Sequence, residues 1–176
     1  MDEHKVADEE TFSSLLSNID QWLAENRSEY YAKLKKGASL EQLSQFKNRF
    51  NLVLPEAFEL LYLWRNGQQE SYSASFCGNR MLMSLESITS TKEMLDEMIG
   101  TDFEDPEWWK SDWVPFLENS AGDYLCVNLA SAEDQQFGQL IEFWHAHKDR
   151  KIVFASLQDW AKELHQSMTS GTYKVT

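Results

Sequence analysis

The sequence predicts an α+β fold with N-terminal helices, a mainly antiparallel sheet meander, and a C-terminal helix packed on the sheet. Three observations carry this expectation. Apolar residues recur at helical spacing through the first half of the chain. The second half shifts to short strand-like runs joined by polar spacers. A capped amphipathic segment then closes the chain. Helices, then a meander, then a helix is an α+β order, unlike the alternation of βαβ units.

From residue 9 to 25, Phe12, Leu15, Leu16, Ile19, Trp22 and Leu23 form the stripe of an amphipathic helix. A short helix is expected over residues 28–35, ended by Gly37. Ser39 and Gln42 have capping-box spacing and open a third helix with Leu40, Leu43, Phe46 and Phe50 on one face. Pro55 suits the first position of the next helix. That helix is apolar nearly all round, at Phe58, Leu60, Leu61, Tyr62 and Trp64, and is expected to be central. Asn66-Gly67 stops it, with Gly67 suited to a left-handed position.

The run FCGNRMLMSL reads as a strand, and SITSTKEMLDEMIG as a helix terminated by Gly100. Pro115 cannot donate to a ladder, so WVPF is expected to be an edge strand or a strand entrance. DYLCVNLA, GQLIEFWHA and KIVFAS then read as strands, with hairpin spacers at residues 131–137 and 147–150. Phe143 and Trp144 alternate across one strand, so both faces of the sheet carry apolar bulk and helices are expected on both. Ser156 and Asp159 have capping spacing ahead of Leu157, Trp160, Ala161, Leu164 and Met168. Residues 169–176 are expected to be a flexible tail.

The 176 residues suit one domain, and 42% hydrophobic content with 7 Trp can fill a core. The net charge of −13 repels phosphate backbones and anionic lipid, which argues against direct nucleic-acid or membrane binding. It would steer a basic protein partner. Cys77 and Cys126 have neither CxxC nor metal-ligand spacing. Together with an N-terminus lacking an apolar signal segment and no membrane-length apolar run, this points to a cytoplasmic protein.

Chemistry-bearing motifs are sparse. His145 and His147 share a strand face if the strand continues, but no third ligand is placed, so they read as exposed turn histidines and no metal or cofactor is expected. Asp123 beside Gly122 reads as a turn cap before it reads as a general base. Glu142 reads as a rim or cross-strand charge. GxSxG, HExxH and Gly-rich phosphate loops do not occur, and no catalytic residue is assigned.

The ordered set LPEAFELLYLWRNG, Trp-x-Pro-Phe, GDYLCVNL, GQLIEFWH and a closing helix resembles the SUKH superfamily, the Smi/Knr type of cell-wall-assembly-regulator domain, over about residues 39–166. On that resemblance, Leu54 and Pro55 open the family's central helix, and Asn66 and Gly67 close it. Trp113, Pro115 and Phe116 form the strand entrance, Gly122 and Asp123 the turn, and Gly138 begins the next strand. Gln68 stands where the family often has a second glycine, and Asn128 where it often has an acid. The resemblance implies a SUKH domain over residues 39–168, with residues 1–38 as a helical extension packed on it. It also implies a non-enzymatic binding module. Bacterial members look like immunity proteins that neutralise toxin domains, often nucleases. Fungal relatives regulate cell-wall synthesis and carry long disordered extensions, which are absent here and so favour the bacterial type.

The family pattern leaves EDPEWW unexplained. Asp102, Glu104, Asp105, Glu107 and Asp112 surround Trp108 and Trp109. Tryptophan anchors interfaces by burying much apolar area at low entropy cost, and acids around it steer a basic partner. These seven residues are the expected partner surface, set against a reading in which the tryptophans pack on the core and the acids are a solvated rim.

Overall fold

The computed structural model describes residues 3–130 and 136–176, with side chains described from Phe12 onward. Helix α1 (Glu3–Asn26) buries Phe12, Leu16, Ile19 and Leu23, the stripe the sequence predicts. Helix α2 (Ser28–Tyr31) is shorter than expected. The chain after it runs extended against residues 62–68, with Ala38 N–H on the Tyr62 carbonyl at 2.7 Å and Lys35 N–H on that of Gly67 at 2.9 Å. Gly37 is a point of close approach, since a Cβ there would fall 1.8 Å from the Leu63 carbonyl oxygen.

Helix α3 (Leu40–Phe50) opens with the predicted capping box. Ser39 Oγ accepts from Gln42 N–H at 3.1 Å, and Gln42 Oε1 accepts from Ser39 N–H at 2.8 Å. Helix α4 (Glu56–Trp64) follows, with Pro55 just ahead of its first residue rather than in it. Phe58, Leu61 and Tyr62 are fully buried, and Tyr62 donates to the Met83 carbonyl at 2.8 Å. Gly67 has φ +72°, and a Cβ there would strike Ser84 N at 2.4 Å. Beside it, Gln68 is buried and fully matched. Its Oε1 accepts from Tyr30 and from Leu82 N–H, and its Nε2 donates to the carbonyls of Tyr72 and Ala74. A glycine could supply none of these bonds.

The strand expected over residues 76–85 shrinks to β1 (Met81–Leu82). A tight turn with Gly78 at φ +55° bridges Cys77 to Arg80, and Ser84 then leaves the sheet to cap helix α5 (Leu85–Glu97) by accepting from Ser87 N–H. The remaining strands are β2 (Trp113–Glu118), β3 (Tyr124–Asn128), β4 (Leu140–Phe143) and β5 (Ile152–Phe154). They form one antiparallel sheet in the order β1-β2-β3-β4-β5. Strand β2 is therefore not at the edge. Pro115 is accommodated because β1 pairs only with Leu117 and Glu118, and a bulge separates Pro115 from Leu117. Most of the spacer expected at residues 131–137 lies outside the described residues.

Both faces of the sheet are covered. The register places Tyr124, Cys126, Ile141 and Phe143 on one face and Leu125, Val127, Leu140 and Glu142 on the other. Helix α5 and residues 100–112 lie over the first face, where Trp109 meets Phe143. Helix α6 (Leu157–Ser170), capped by Ser156, lies over the second, where Trp160 meets Phe116 at 5.3 Å. Helix α1 packs on α6 and α4, so its stripe belongs to the same apolar core.

Of residues 169–176, expected as a flexible tail, the first two end α6 and residues 172–176 fold back along the domain. Tyr173 accepts from Arg27 at 2.7 Å, donates to the Phe76 carbonyl and sets its ring 5.0 Å from that of Trp22. Thr176 N–H donates to the Gly78 carbonyl at 2.8 Å.

Candidate functional site

Residues 100–112 begin where Gly100 (φ +77°) turns the chain out of α5, and end where Trp113 enters β2. Asp105-Pro106 starts a turn. Trp108 N–H donates to the Asp105 carbonyl at 3.0 Å, and Asp105 Oδ1 accepts from Glu107 N–H at 2.9 Å. This is ordinary Asp-Pro turn chemistry, and it gives Asp105 a structural task within the loop.

The turn sends the two adjacent tryptophans in different directions. Trp109 is 1% exposed and stands edge-on to Trp113 at 5.5 Å and to Phe143 at 5.4 Å. Its Nε1–H donates to Asp96 Oδ1 at 2.8 Å. Trp109 is thus a core residue, which corrects its expected place on the partner surface. The indole fills the space between α5 and the sheet, and its polar handle is matched inside. Asp96 also holds Lys92, a lysine that is 1% exposed, at 3.0 Å. Lys92 donates to the Ser111 carbonyl as well and lies 5.2 Å from the Phe50 ring. The charge is buried because it ties α5, α3 and the loop together.

Trp108 is only half-buried. Its carbonyl accepts from Arg150 Nε at 3.0 Å and Nη2 at 2.9 Å. The same guanidinium lies 5.0 Å from the Trp108 ring and 4.4 Å from that of Phe143. Arg150, which sequence reasoning missed, pins the loop to the β4–β5 connection. Asp102, Glu104, Asp105, Glu107 and Asp112 are all exposed. Glu107 pairs with Lys110 at 2.9 Å, an exposed contact of small energetic weight. Exposed Ile99 leads into the loop and bridges to Phe103. The arrangement is therefore a rim of acids and one half-buried indole on a rigid, core-anchored base.

The family-motif residues are structural. Leu54 is half-buried against the core next to Pro55. Asn66 is buried, accepting from Leu85 N–H at 2.8 Å and donating to Glu86. Trp113, Pro115 and Phe116 are buried in β2. Gly122 and Gly138 have φ +85° and +83°. Asn128 is buried, and its Oδ1 accepts from Ala130 N–H, a turn role that uses an amide oxygen as well as a carboxylate.

Asp123 caps more than its own turn. Its Oδ1 accepts from His145 N–H at 2.9 Å and pairs with His145 Nδ1 at 2.8 Å, while Oδ2 accepts from Asn119 at 3.1 Å. Burial raises its pKa, but the bonds from His145 and Asn119 outweigh that and hold it below the usual value. Glu142 points into a different place, a groove on the α6 face that Asp123 and His145 do not line. Asp123, Glu142 and the histidines do not converge in one cleft. Among the described residues no group of three or more His, Cys, Asp or Glu is placed to hold a metal. Burial pushes the Cys126 thiol well up, so it is an apolar filler rather than a nucleophile. No described helix is long and apolar enough to cross a membrane.

A sequence profile of the SMI1 / KNR4 family (SUKH-1) matches residues 37–163. Helices α1 and α2 precede the match, and the loop at 100–112 lies inside it. A curated relative, the "Cell wall biosynthesis/cell cycle regulator smi1" of Schizosaccharomyces pombe, is 21% identical over 181 aligned residues. The alignment covers 89% of this chain and 36% of the relative, so the chain spans about a third of that protein's length.

Proposed function

This chain belongs to the SMI1/KNR4 family (SUKH-1), and from that premise we propose that it is a non-enzymatic module that binds a basic protein through the acidic rim of residues 102–112. The observation that carries this reading is the division of labour inside the loop. Trp109, Lys92 and Asp96 anchor it to the core, while Asp102, Glu104, Glu107 and Asp112 stay exposed around half-buried Trp108. A rigid base carrying unburied like charges suits electrostatic steering, because it attracts a cationic partner without rearranging. Trp108 supplies the apolar contact that charge alone lacks.

Two identities of the partner follow from the family. The first is a toxin domain, possessing a basic and nuclease-type cleft that the acidic rim would occlude, with this chain acting as its immunity protein in the cytoplasm. The −13 charge favours it. The second is an endogenous enzyme held by a regulatory scaffold, favoured by the similarity to the S. pombe cell wall biosynthesis/cell cycle regulator. On either identity, α1 and α2 are an addition that buttresses the domain through α4 and α6.

The test is affinity capture from the native cell, followed by binding kinetics on the recovered partner. Neutralising the rim with Asp102→Asn, Glu104→Gln, Glu107→Gln and Asp112→Asn should cut the on-rate about tenfold at low salt and flatten its salt dependence. A partner whose on-rate ignores both salt and these four changes refutes the rim as its docking site. Rescue of growth on co-expression with a toxin domain selects the first identity. Recovery of wall-synthesis enzymes selects the second.

A further inference from the structure

A groove of about 400 Å³ crosses the sheet on the α6 face, opposite the face under residues 102–112. Its floor draws on four strands, through Leu117, Leu125, Glu142 and, from β5, Val153 and Phe154, and Trp160 of α6 and Tyr173 of the C-terminal strap help to wall it. Arg80 enters from the turn before β1. Its side chain is 14% exposed, yet Nε has no hydrogen-bond partner among the described residues. Its Nη2 stands 3.6 Å from Glu142 Oε1, beyond hydrogen-bond length. A guanidinium keeps its charge and carries five N–H donors, so a largely dehydrated one with unmatched donors favours any acceptor that reaches it. Glu142 commits Oε2 to Trp144 Nε1 at 3.2 Å and leaves Oε1 facing Arg80. Donor and acceptor therefore stand side by side on an apolar floor.

One residue of an extended chain presents its N–H and C=O toward the same side, as in a hydrogen-bonded antiparallel pair. We propose that this groove binds an extended peptide segment. One residue's carbonyl accepts from Arg80, its N–H donates to Glu142, and a neighbouring apolar side chain rests on Leu117, Leu125 and Trp160. A neutral carbonyl suits the site, because Glu142 and Glu163 balance Arg80 and Lys174 in the lining and leave no net positive charge to draw a carboxylate. The −13 charge selects basic residues flanking the apolar one. The inference rests on reading the chain as a protein-binding module and adds a second surface, with its own chemistry, to the acidic rim.

The test is a titration of the ¹⁵N-labelled chain with end-blocked pentapeptides carrying Leu, Val, Phe or Glu at the centre, flanked by lysines. Saturable shifts at Leu117, Leu125 and Tyr173 with the apolar peptides, and weak ones with the Glu peptide, are expected. Arg80→Met should weaken binding at least tenfold. Val153→Arg, a change at an exposed position, should do the same with the melting midpoint unchanged, which separates a blocked groove from a damaged fold. Absence of groove shifts with every peptide, or shifts indifferent to both substitutions, overturns the inference. Because the peptides read the groove alone, that failure leaves the acidic rim standing, and failure of the rim kinetics leaves a peptide-binding groove standing.

Discussion

The two faces of the sheet are closed by different means. Over Tyr124, Cys126 and Phe143, the closure is a locked polar-aromatic cluster. Trp109 fills the gap, Asp96 accepts from its indole, and a fully buried lysine ties the same carboxylate to the Ser111 carbonyl. Over Leu117, Leu125 and Glu142, the closure is an amphipathic helix and a strap, and a groove remains with an arginine whose donors are incompletely matched. A sealed face is free to present chemistry on its outer side, as the acids of 102–112 do. An incompletely sealed face can bind only by what lies on its floor. On the two proposals, recognition by charge and recognition by a cleft would lie on opposite sides of one small sheet.

The largest effect that can break this comparison is at Trp109. Trp109→Ala should destabilise the chain by about 3–5 kcal/mol, through a cavity and an orphaned carboxylate bond. Urea unfolding of the purified variant measures it. A loss under about 1 kcal/mol would mean that the first face is not sealed by this residue. Asp96→Ala comes next. It leaves Lys92 buried without its carboxylate and the Trp109 N–H unmatched, and should cost about 2–3 kcal/mol, at the lower end for broken buried pairs because Asp96 is partly exposed.

A smaller effect distinguishes the helical layer above the second face. Asp20 on α1 accepts from Trp64 at 2.8 Å, from Arg65 at 2.8 Å and from Tyr31 at 2.8 Å, joining α1 to α2 and α4. Burial raises its pKa, but the bonds from Arg65, Tyr31 and Trp64 outweigh that and bring it below its ordinary value. A depressed folded pKa means stability that is present above the unfolded value of about 3.9 and lost as pH falls through the folded value. Asp20→Asn should therefore cost about 1–2 kcal/mol at pH 7, and the gap to wild type should narrow in urea unfolding below about pH 4. A gap constant down to pH 3 would mean that the charge plays no part. The smallest effect is at Trp108, where Ala should change stability by about 1 kcal/mol or less, because its backbone carbonyl makes the bonds to Arg150.

The helical elements were legible where periodicity and capping agree. Ser39 and Ser156 cap as their spacing predicts, the stripes of α1 and α6 face the core, and α3 buries Leu43 and Phe46 of its stripe while Leu40 stays exposed. Misreadings came where tertiary pairing competes with local pattern. Residues 32–35 continue a helical pattern yet are drawn into bridges with residues 67–69, and Gly78 breaks what reads as one strand. Pro115 suggested an edge strand or a strand entrance; it stands near the start of β2, and a sequence does not reveal that β1 covers only the second half of that strand. At the rim, composition singled out the segment but could not say which of two adjacent tryptophans turns inward. That depends on the Asp105-Pro106 turn and on Asp96, thirteen residues away. Arg80 and Arg150 carry no local signal, since their partners are distant in sequence or are backbone carbonyls, and the i,i+4 spacing of Lys92 and Asp96 does not reveal that the lysine is buried.

The most direct test sets Trp108→Ala and the four rim neutralisations, combined in one variant, against Trp109→Ala, with stability and partner on-rate measured on each. The combined rim variant should keep wild-type stability in urea unfolding to within about 1 kcal/mol and lose at least tenfold in on-rate at low salt, whereas Trp109→Ala should lose about 3–5 kcal/mol. An unchanged on-rate for the combined variant, or a collapse of its stability equal to that of Trp109→Ala, would contradict the division between anchor and rim.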